Sequence, residues 1–259
     1  MKISEKMFEL TGKKAVVVGG AGGIGQAIAQ ALTVFGADVA ISSRNIDNLN
    51  RAREEIQIET GKSVLIIEAD ASNEDSVKKL LQTVVTSLGN VDILVNAQGF
   101  NKKAPATEFP VELWEKMFDV NVKSMMLTCK HFGKYMKEHG KGKIINLSSV
   151  RGIRACGGGN SGYCATKGAV DMLTRVLAKE LGPEVCVNAI GPTMTYTPMM
   201  VGILSDDPKE RNKWAEKMPL QRIGNPEDCA GPAVFLASEA SDFVSGQIIY
   251  PDGGLTAMG

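Results

Sequence analysis

Short apolar runs rich in β-branched residues alternate along the chain with longer stretches in which apolar side chains return every three or four positions. The short runs are Ala15 to Val18, Asp38 to Ile41, Val64 to Ile67, Val91 to Val95, Lys143 to Leu147, Val185 to Ile190 and Gln247 to Tyr250. Near-continuous apolar segments of this kind predict strands of a parallel sheet buried on both faces. The longer stretches predict helices near 24–35, 45–59, 73–88, 111–139, 162–181 and 226–238. Strand and helix alternate from end to end with no linker or repeat between them. The pattern therefore predicts an α/β protein with a doubly wound parallel sheet, a single domain over residues 1–259. Ser72, with Asp75 three residues on, reads as a capping box opening the third helix, and Gly36, Gly61, Gly89 and Gly182 fall where helices should stop.

One region breaks the rhythm. Residues 192–219 are rich in proline and methionine, show no strand pattern and directly follow the sixth strand. Open α/β sheets bind ligands at the carboxyl ends of their strands, and long connections are commonly functional. The segment is expected to form a substrate lid; an oligomer contact is the other reading.

Composition narrows the partners. The 259 residues carry 29 Lys and Arg against 29 Asp and Glu, so no basic surplus exists to neutralise nucleic-acid phosphates. No run approaches the ~18 apolar residues of a membrane span, and the charged start, Met1 to Lys14, does not look like a secretory signal. Five cysteines without a C-x-x-C pair fit reduced thiols in the cytoplasm. His131 and His139 have no ligand cluster around them, so no metal site is expected.

The first predicted strand runs into Val18-Gly19-Gly20-Ala21-Gly22-Gly23-Ile24-Gly25 and then a helix. Glycines at this junction let backbone N–H groups and the positive helix end approach a pyrophosphate, the mark of a Rossmann-like dinucleotide site. Gly19, Gly22, Gly23, Ile24 and Gly25 are the candidate cradle. About 20 residues further on, an NAD site of this type places an acid against the ribose 2′-hydroxyl. Here the second strand ends Ile41-Ser42-Ser43-Arg44. Ser43 and Arg44 suit a 2′-phosphate, because a guanidinium pairs bidentately with phosphate. NADP(H) is the expected cofactor, with NAD(H) as the alternative. Asp70, after the third strand, is a candidate acceptor for the adenine amino group or else a helix-dipole partner. Asn96, ending the fourth strand, is placed beside the cofactor crevice.

Tyr163 and Lys167 stand four residues apart on one predicted helix face. Ser148 and Ser149 end the fifth strand, and a glycine-rich loop joins them to that helix. Serine, tyrosine and lysine are thus expected to converge at the carboxyl edge of the sheet.

With these motifs the chain resembles the short-chain dehydrogenase/reductase family from Phe8 to Leu255. The matching stretches are G-G-A-G-G-I-G at 19–25, N-A-Q-G at 96–99, Asn121 in D-V-N-V, S-S-V at 148–150, Y-C-A-T-K at 163–167 and D-G-G at 252–254. The resemblance implies that Tyr163 exchanges the proton, that Lys167 lowers its pKa and holds the nicotinamide ribose, that Ser149 orients the carbonyl and that Asn121 supports a proton-relay water. A tyrosine pKa of ~10 is high for a base near neutrality. An ammonium ~4 Å away is worth up to ~4 kcal/mol at an effective dielectric of ~20, roughly three pKa units. Val18, Ala97, Gln98 and Thr193 depart from the family pattern, and the Ser149 to Tyr163 interval is one residue longer. Ser149 is taken over Ser148 because S-V-x-G matches the strand-end pattern. The resemblance also implies a homo-oligomer, a tetramer packed through the helices at 111–139 and 162–181.

The expected activity is NADP(H)-dependent interconversion of a secondary alcohol and a ketone. A 3-oxoacyl thioester reductase and a catalytically silent cofactor-sensing protein are the other readings. Lys102, Lys103, Arg151 and Arg154 flank the expected substrate crevice, while 97–107 and 148–170 contain no acid. A positive entrance suits an anion. The stretch K-K-A-P-A-T-E-F-P at 102–110 is similar to that of sugar-acid dehydrogenases of the gluconate 5-dehydrogenase group, which points the same way, toward a small hydroxylated carboxylate such as a sugar acid, with a polyol as the neutral counterpart.

Overall fold

A computed structural model describes residues 4–197, 200 and 208–258. Seven parallel strands form one sheet in the order β3-β2-β1-β4-β5-β6-β7: β1 Lys14–Val18, β2 Asp38–Ser43, β3 Leu65–Glu68, β4 Ile93–Asn96, β5 Gly142–Leu147, β6 Val185–Ile190 and β7 Ile248–Ile249. The central strands are buried residue after residue, as strands of a parallel sheet must be when both faces are covered. One core lies on each face: Ile28, Leu32, Leu49 and Ile56 pack on one, Leu80, Met125, Phe132 and Met136 on the other. The helices are α1 Gly23–Val34, α2 Ile46–Thr60, α3 Glu74–Leu88, α4 Val111–Phe118, α5 Ser124–Glu138, α6 Ser161–Glu180, α7 Pro208–Ala215 and α8 Ala230–Ala237. No helix among the described residues is long and apolar enough to cross a membrane.

Three local expectations are corrected. The α3 cap is Asn73, whose Oδ1 accepts from Ser76 N at 2.9 Å; Ser72 instead donates its N–H to Asp70 Oδ1 at 2.9 Å. An asparagine is as good a cap as serine, and the one beside the helix took the position. The stretch expected as one helix over 111–139 is divided by a π-helical turn, Asp119–Lys123, centred on buried Asn121. The segment 192–219 contains α7, which begins with Pro208 at the position where proline is preferred. Its polar sequence carries no apolar stripe to announce a helix. Pro198, Met199 and 201–207 of the expected lid lie outside the described residues.

Candidate active site

The strand order reverses between β1 and β4, and a cavity of about 1210 Å³ opens at the carboxyl ends there. Gly19, Gly22, Gly23, Ile24 and Gly25 line one end. Gly19 has φ +81°, and a Cβ on it would meet Gln98 N at 2.6 Å; a Cβ on Gly25 would meet Gly19 O at 2.2 Å. These two glycines let the turn fold tightly onto the sheet. At Gly22 a Cβ would meet nothing, so this residue leaves open space for a ligand. Gly22 caps α1 without a side-chain hydrogen bond, and no acid occupies the first turn. The leading N–H groups of α1 have no intrahelical partner. An uncapped, acid-free helix end over open space fits the pyrophosphate of a dinucleotide.

Beyond the cradle the wall is made by Ser43, Arg44, Asn48, Arg51, Asp70 and Ser72. Ser43 Oγ donates to Asn45 O at 3.2 Å within its own turn. Arg44 is exposed and makes no ion pair or side-chain hydrogen bond among the described residues, whereas Arg51 donates to Asn48 Oδ1 at 2.7 Å. Arg51 thus adds a second, braced guanidinium that the sequence reading missed. Its signal was the 48, 51 spacing, which puts Asn48 and Arg51 on one face of α2. Asp70 is exposed and serves as a turn residue through its bond from Ser72 N.

At the other end of the cavity stand Ser149, Tyr163 and Lys167. Asn96, fully buried at the end of β4, donates to Asn146 Oδ1 at 2.9 Å and accepts from Thr128 Oγ1 at 2.7 Å; Asn146 in turn donates to Thr174 Oγ1 at 3.0 Å. This dry network fastens β4 and β5 to α5 and α6. It also corrects the placing of Asn96: both ends of its amide are taken in the core, and it does not line the cavity. Asn121 is likewise displaced from the wall. Its Oδ1 accepts from Phe100 N at 2.7 Å, and its Nδ2 donates to Phe100 O at 2.8 Å and Thr166 Oγ1 at 3.0 Å. The side chain clamps the loop after β4 against α6, one residue before Lys167.

The two serines separate clearly. Ser148 Oγ donates to buried Asp171, away from the tyrosine. Ser149 accepts from Arg151 N at 3.2 Å and donates to Pro192 O at 3.3 Å, and it stands near enough to the Tyr163 phenol to favour its anion. Gly152 permits the Ser148 contact, because a Cβ there would meet Asp171 Oδ2 at 2.3 Å. Asp171 continues the 163, 167 spacing by one more turn, a periodic signal that the sequence reading passed over.

Lys167 is 3% exposed; its Nζ donates to Leu147 O at 2.7 Å and lies 5.6 Å from the centroid of the Tyr163 ring. Burial pushes the Lys167 ammonium down to about 8, opposed by the Asp171 carboxylate. Burial pushes the Tyr163 phenol up to about 12, opposed by the Ser149 hydroxyl. The expectation that lysine depresses the tyrosine is therefore corrected for the protein without ligand. The ammonium is held over the ring by a backbone carbonyl, and removal of the phenol from water outweighs it. A neutral phenol beside a serine and a buried ammonium can give a proton to a nascent alkoxide.

The substrate end is further bounded by Asn101, Lys103, Arg151, Arg154, Trp214 and Lys217, with Met194, Met200, Met218 and Met258 among them. Lys102 does not line the cavity, and Arg154 donates to Leu255 O. Lys217 Nζ sits 3.9 Å above the Trp214 ring.

A family model described as enoyl-(acyl carrier protein) reductase matches residues 19–256. The chain is 33% identical to gluconate 5-dehydrogenase of Gluconobacter oxydans (strain 621H) over 96% of its own length and 97% of that protein. It is 34% identical to a 3-oxoacyl-[acyl-carrier-protein] reductase of Chlamydia muridarum, over 95% of this chain and 98% of the other. The crystal structure of a gluconate 5-dehydrogenase from Burkholderia cenocepacia J2315, in complex with NADP and tartrate, superposes with a TM-score of 0.91 at 31% identity, covering 98% of this chain and 99% of that one.

Proposed function

The chain belongs to the short-chain dehydrogenase/reductase family, and from that premise we propose that it is an NADP(H)-preferring oxidoreductase acting on a hydroxylated carboxylate of the sugar-acid kind. The observation that carries the substrate class is electrostatic. Lys103, Arg151, Arg154 and Lys217 border the cavity around Ser149 and Tyr163, and the one acid among the described lining residues, Asp70, lies at the opposite, adenine end. The dehydrogenases of Gluconobacter and Burkholderia named above support the same reading.

A nicotinamide cofactor held in the cradle of Gly19, Gly22, Gly23, Ile24 and Gly25 would supply or take the hydride. Ser149 and Tyr163 hold the carbonyl oxygen by hydrogen bonds, and the Tyr163 hydroxyl delivers the proton as negative charge grows there. Lys167 stabilises the phenolate that remains, and its ammonium would also hold a ribose hydroxyl of the cofactor. Lys103 and Arg151 hold the carboxylate. The helices α4–α5 and α6 leave Trp114, Met126, Met172 and Val176 exposed, which supports assembly into a homotetramer, and we place the enzyme in the cytoplasm.

The test compares kcat/KM for oxo sugar acids with that for neutral ketoses using NADPH. Acids should lead, and Lys103→Glu or Arg151→Glu should raise KM for acids at least about 10-fold, the scale of one lost charge-assisted hydrogen bond, without the same effect on ketoses. Lys102→Glu should stay within about twofold. Preference for the uncharged compounds overturns the anionic substrate. A second reading, a 3-oxoacyl thioester reductase, draws on the methionines at the cavity mouth and the Chlamydia relative; faster reduction of acetoacetyl thioesters than of any sugar acid would establish it.

Arg44→Asp should lower kcat/KM for NADPH by about 10- to 100-fold, the worth of a lost charge-assisted phosphate contact, and raise that for NADH by offering the ribose an acceptor. Equal use of both cofactors by the unaltered protein would remove the 2′-phosphate from its recognition. The pH profile should be asymmetric. In ketone reduction the phenol stays protonated well above neutrality, while the Lys167 ammonium loses its charge near about 8. Rate measurements from pH 6 to 10 should show kcat/KM level at first and falling above about 8. A profile flat through pH 10 would detach Lys167 from the step.

A further inference from the structure

Three consecutive residues at the end of β5 address three successive turns of α6. Ser149 stands beside Tyr163, the Leu147 carbonyl accepts from Lys167 Nζ at 2.7 Å, and Ser148 Oγ donates to Asp171 Oδ1. Proton delivery uses the first two of these and not the third. Asp171 is nonetheless 2% exposed, and a carboxylate taken that far out of water is costly unless something offsets it. An asparagine would fill the same place and accept the same Ser148 hydrogen bond without a charge. The charge therefore calls for a use that the hydrogen bond does not explain.

The carboxylate is enclosed by named partners. Its Oδ1 receives the Ser148 proton, its Oδ2 receives the Tyr250 hydroxyl at 3.4 Å from just beyond β7, and Gly152 closes over Oδ2, where a Cβ would stand 2.3 Å away. A Cβ on Gly152 would also meet Lys167 O at 3.0 Å, so the same turn lies against both residues. Burial raises the Asp171 carboxyl above its ordinary value, and Ser148, Arg175, Tyr250 and Lys167 oppose that rise. With two hydroxyls donating into it and two cations on its face of α6, it is an anion in the neutral range. Among the described residues, Asp171 is the charge that acts on Lys167. Other charges on the elements against α6 act elsewhere: Arg151 acts on the Tyr163 phenol, and Lys123 pairs with Asp119 at 2.6 Å on the π-helical turn.

We propose that Asp171 is a positioning residue of the active site: through Ser148 it fixes the 147–149 segment that holds Lys167 and Ser149, and its negative charge balances the Lys167 ammonium in a place closed to water. Asp171 does not line the cavity and acts through these neighbours alone. Burial already pushes the Lys167 ammonium down to about 8 with the Asp171 charge opposing it. Taking that charge away favours the neutral amine further, so the ammonium is lost at lower pH. The inference rests on the oxidoreductase reading of the site, and not on which ketone it reduces.

Two kinds of variant separate charge from anchoring. Asp171→Asn keeps an acceptor for Ser148 and removes the charge. In it the fall of kcat/KM for ketone reduction should begin at least about half a pH unit lower than in the unaltered protein, about a threefold change in proton affinity. Asp171→Ala removes the anchor as well and should lower kcat at pH 6 at least about 10-fold, because small displacements of reacting groups are costly; Asp171→Asn should regain most of that loss at the same pH. Ser148→Ala should lower kcat in the same direction, and the double variant Ser148→Ala/Asp171→Ala should be no slower than Asp171→Ala alone, since one contact cannot be lost twice. Titration with NADPH over the same pH range follows the Lys167 ammonium without any substrate, and its fall should shift likewise in Asp171→Asn. A pH dependence that does not move in Asp171→Asn overturns the proposal, as do additive losses in the double variant. A lowered Tm with unchanged rates and profiles makes Asp171 a folding residue only. An unaltered protein whose rate and NADPH affinity stay flat through pH 10 overturns the proposal together with the role of Lys167. If NADPH binding shows the shift but sugar acids are not reduced, the substrate reading fails and the role of Asp171 stands.

Discussion

Tyr163→Phe should lower turnover by about 100-fold or more while leaving NADPH affinity within about twofold. The phenol is the only hydroxyl on the described wall that stands beside Ser149 with a buried ammonium behind its ring. General acid–base groups in such positions contribute ~100- to 10,000-fold. Phenylalanine keeps the ring and therefore the packing at the first turns of α6, so thermal stability should be unchanged. The measurement is single-turnover reduction with saturating NADPH, with cofactor fluorescence titrated in parallel. Near-normal turnover would take Tyr163 out of proton transfer. A large loss of cofactor affinity with normal single-turnover rate would make it a binding residue instead.

The parts of the site that were legible in the sequence are those set by backbone periodicity. The 163, 167 spacing survives folding because α6 is a regular helix, and the glycines of 19–25 reappear at the cavity because their positions answer to close backbone approach. Asn96 and Asn121 were misplaced for the opposite reason. Each stands next to the cavity in the chain, but an amide has four hydrogen-bonding positions, and whether it turns to the crevice or into the protein depends on partners distant in sequence. Asn96 finds Thr128 and Asn146; Asn121 finds Phe100 and Thr166. The raised phenol at Tyr163 was illegible for a related reason. Proximity of lysine is visible in the spacing, whereas burial and the diversion of the ammonium to Leu147 O arise only when the fifth strand and α6 pack together. In α7 the pattern was silent because its sequence has no apolar stripe to read.

The glycines also separate folding from cofactor binding in a way one pair of variants should expose. Gly25→Ala places a Cβ 2.2 Å from Gly19 O, a backbone atom that cannot move without shifting the turn off Ser42 O, to which Gly19 N donates at 2.7 Å. Overpacking of this kind costs about 1–3 kcal/mol, and the displaced turn carries the N–H groups that meet the pyrophosphate. Gly22→Ala adds the same methyl group where nothing lies within 4 Å, on extended backbone with φ 166°. It should fold normally yet intrude on the space above the uncapped end of α1. Gly25→Ala is therefore expected to lower Tm by several degrees and weaken NADPH binding at least about 10-fold, the equivalent of ~1.4 kcal/mol. Gly22→Ala should weaken binding comparably with Tm within about a degree. Thermal melts without ligand and fluorescence titration with NADPH read the two effects independently. If Gly22→Ala binds NADPH as tightly as the unaltered protein, the open space above α1 is not where the pyrophosphate sits, and the cradle must be assigned to the remaining glycines alone.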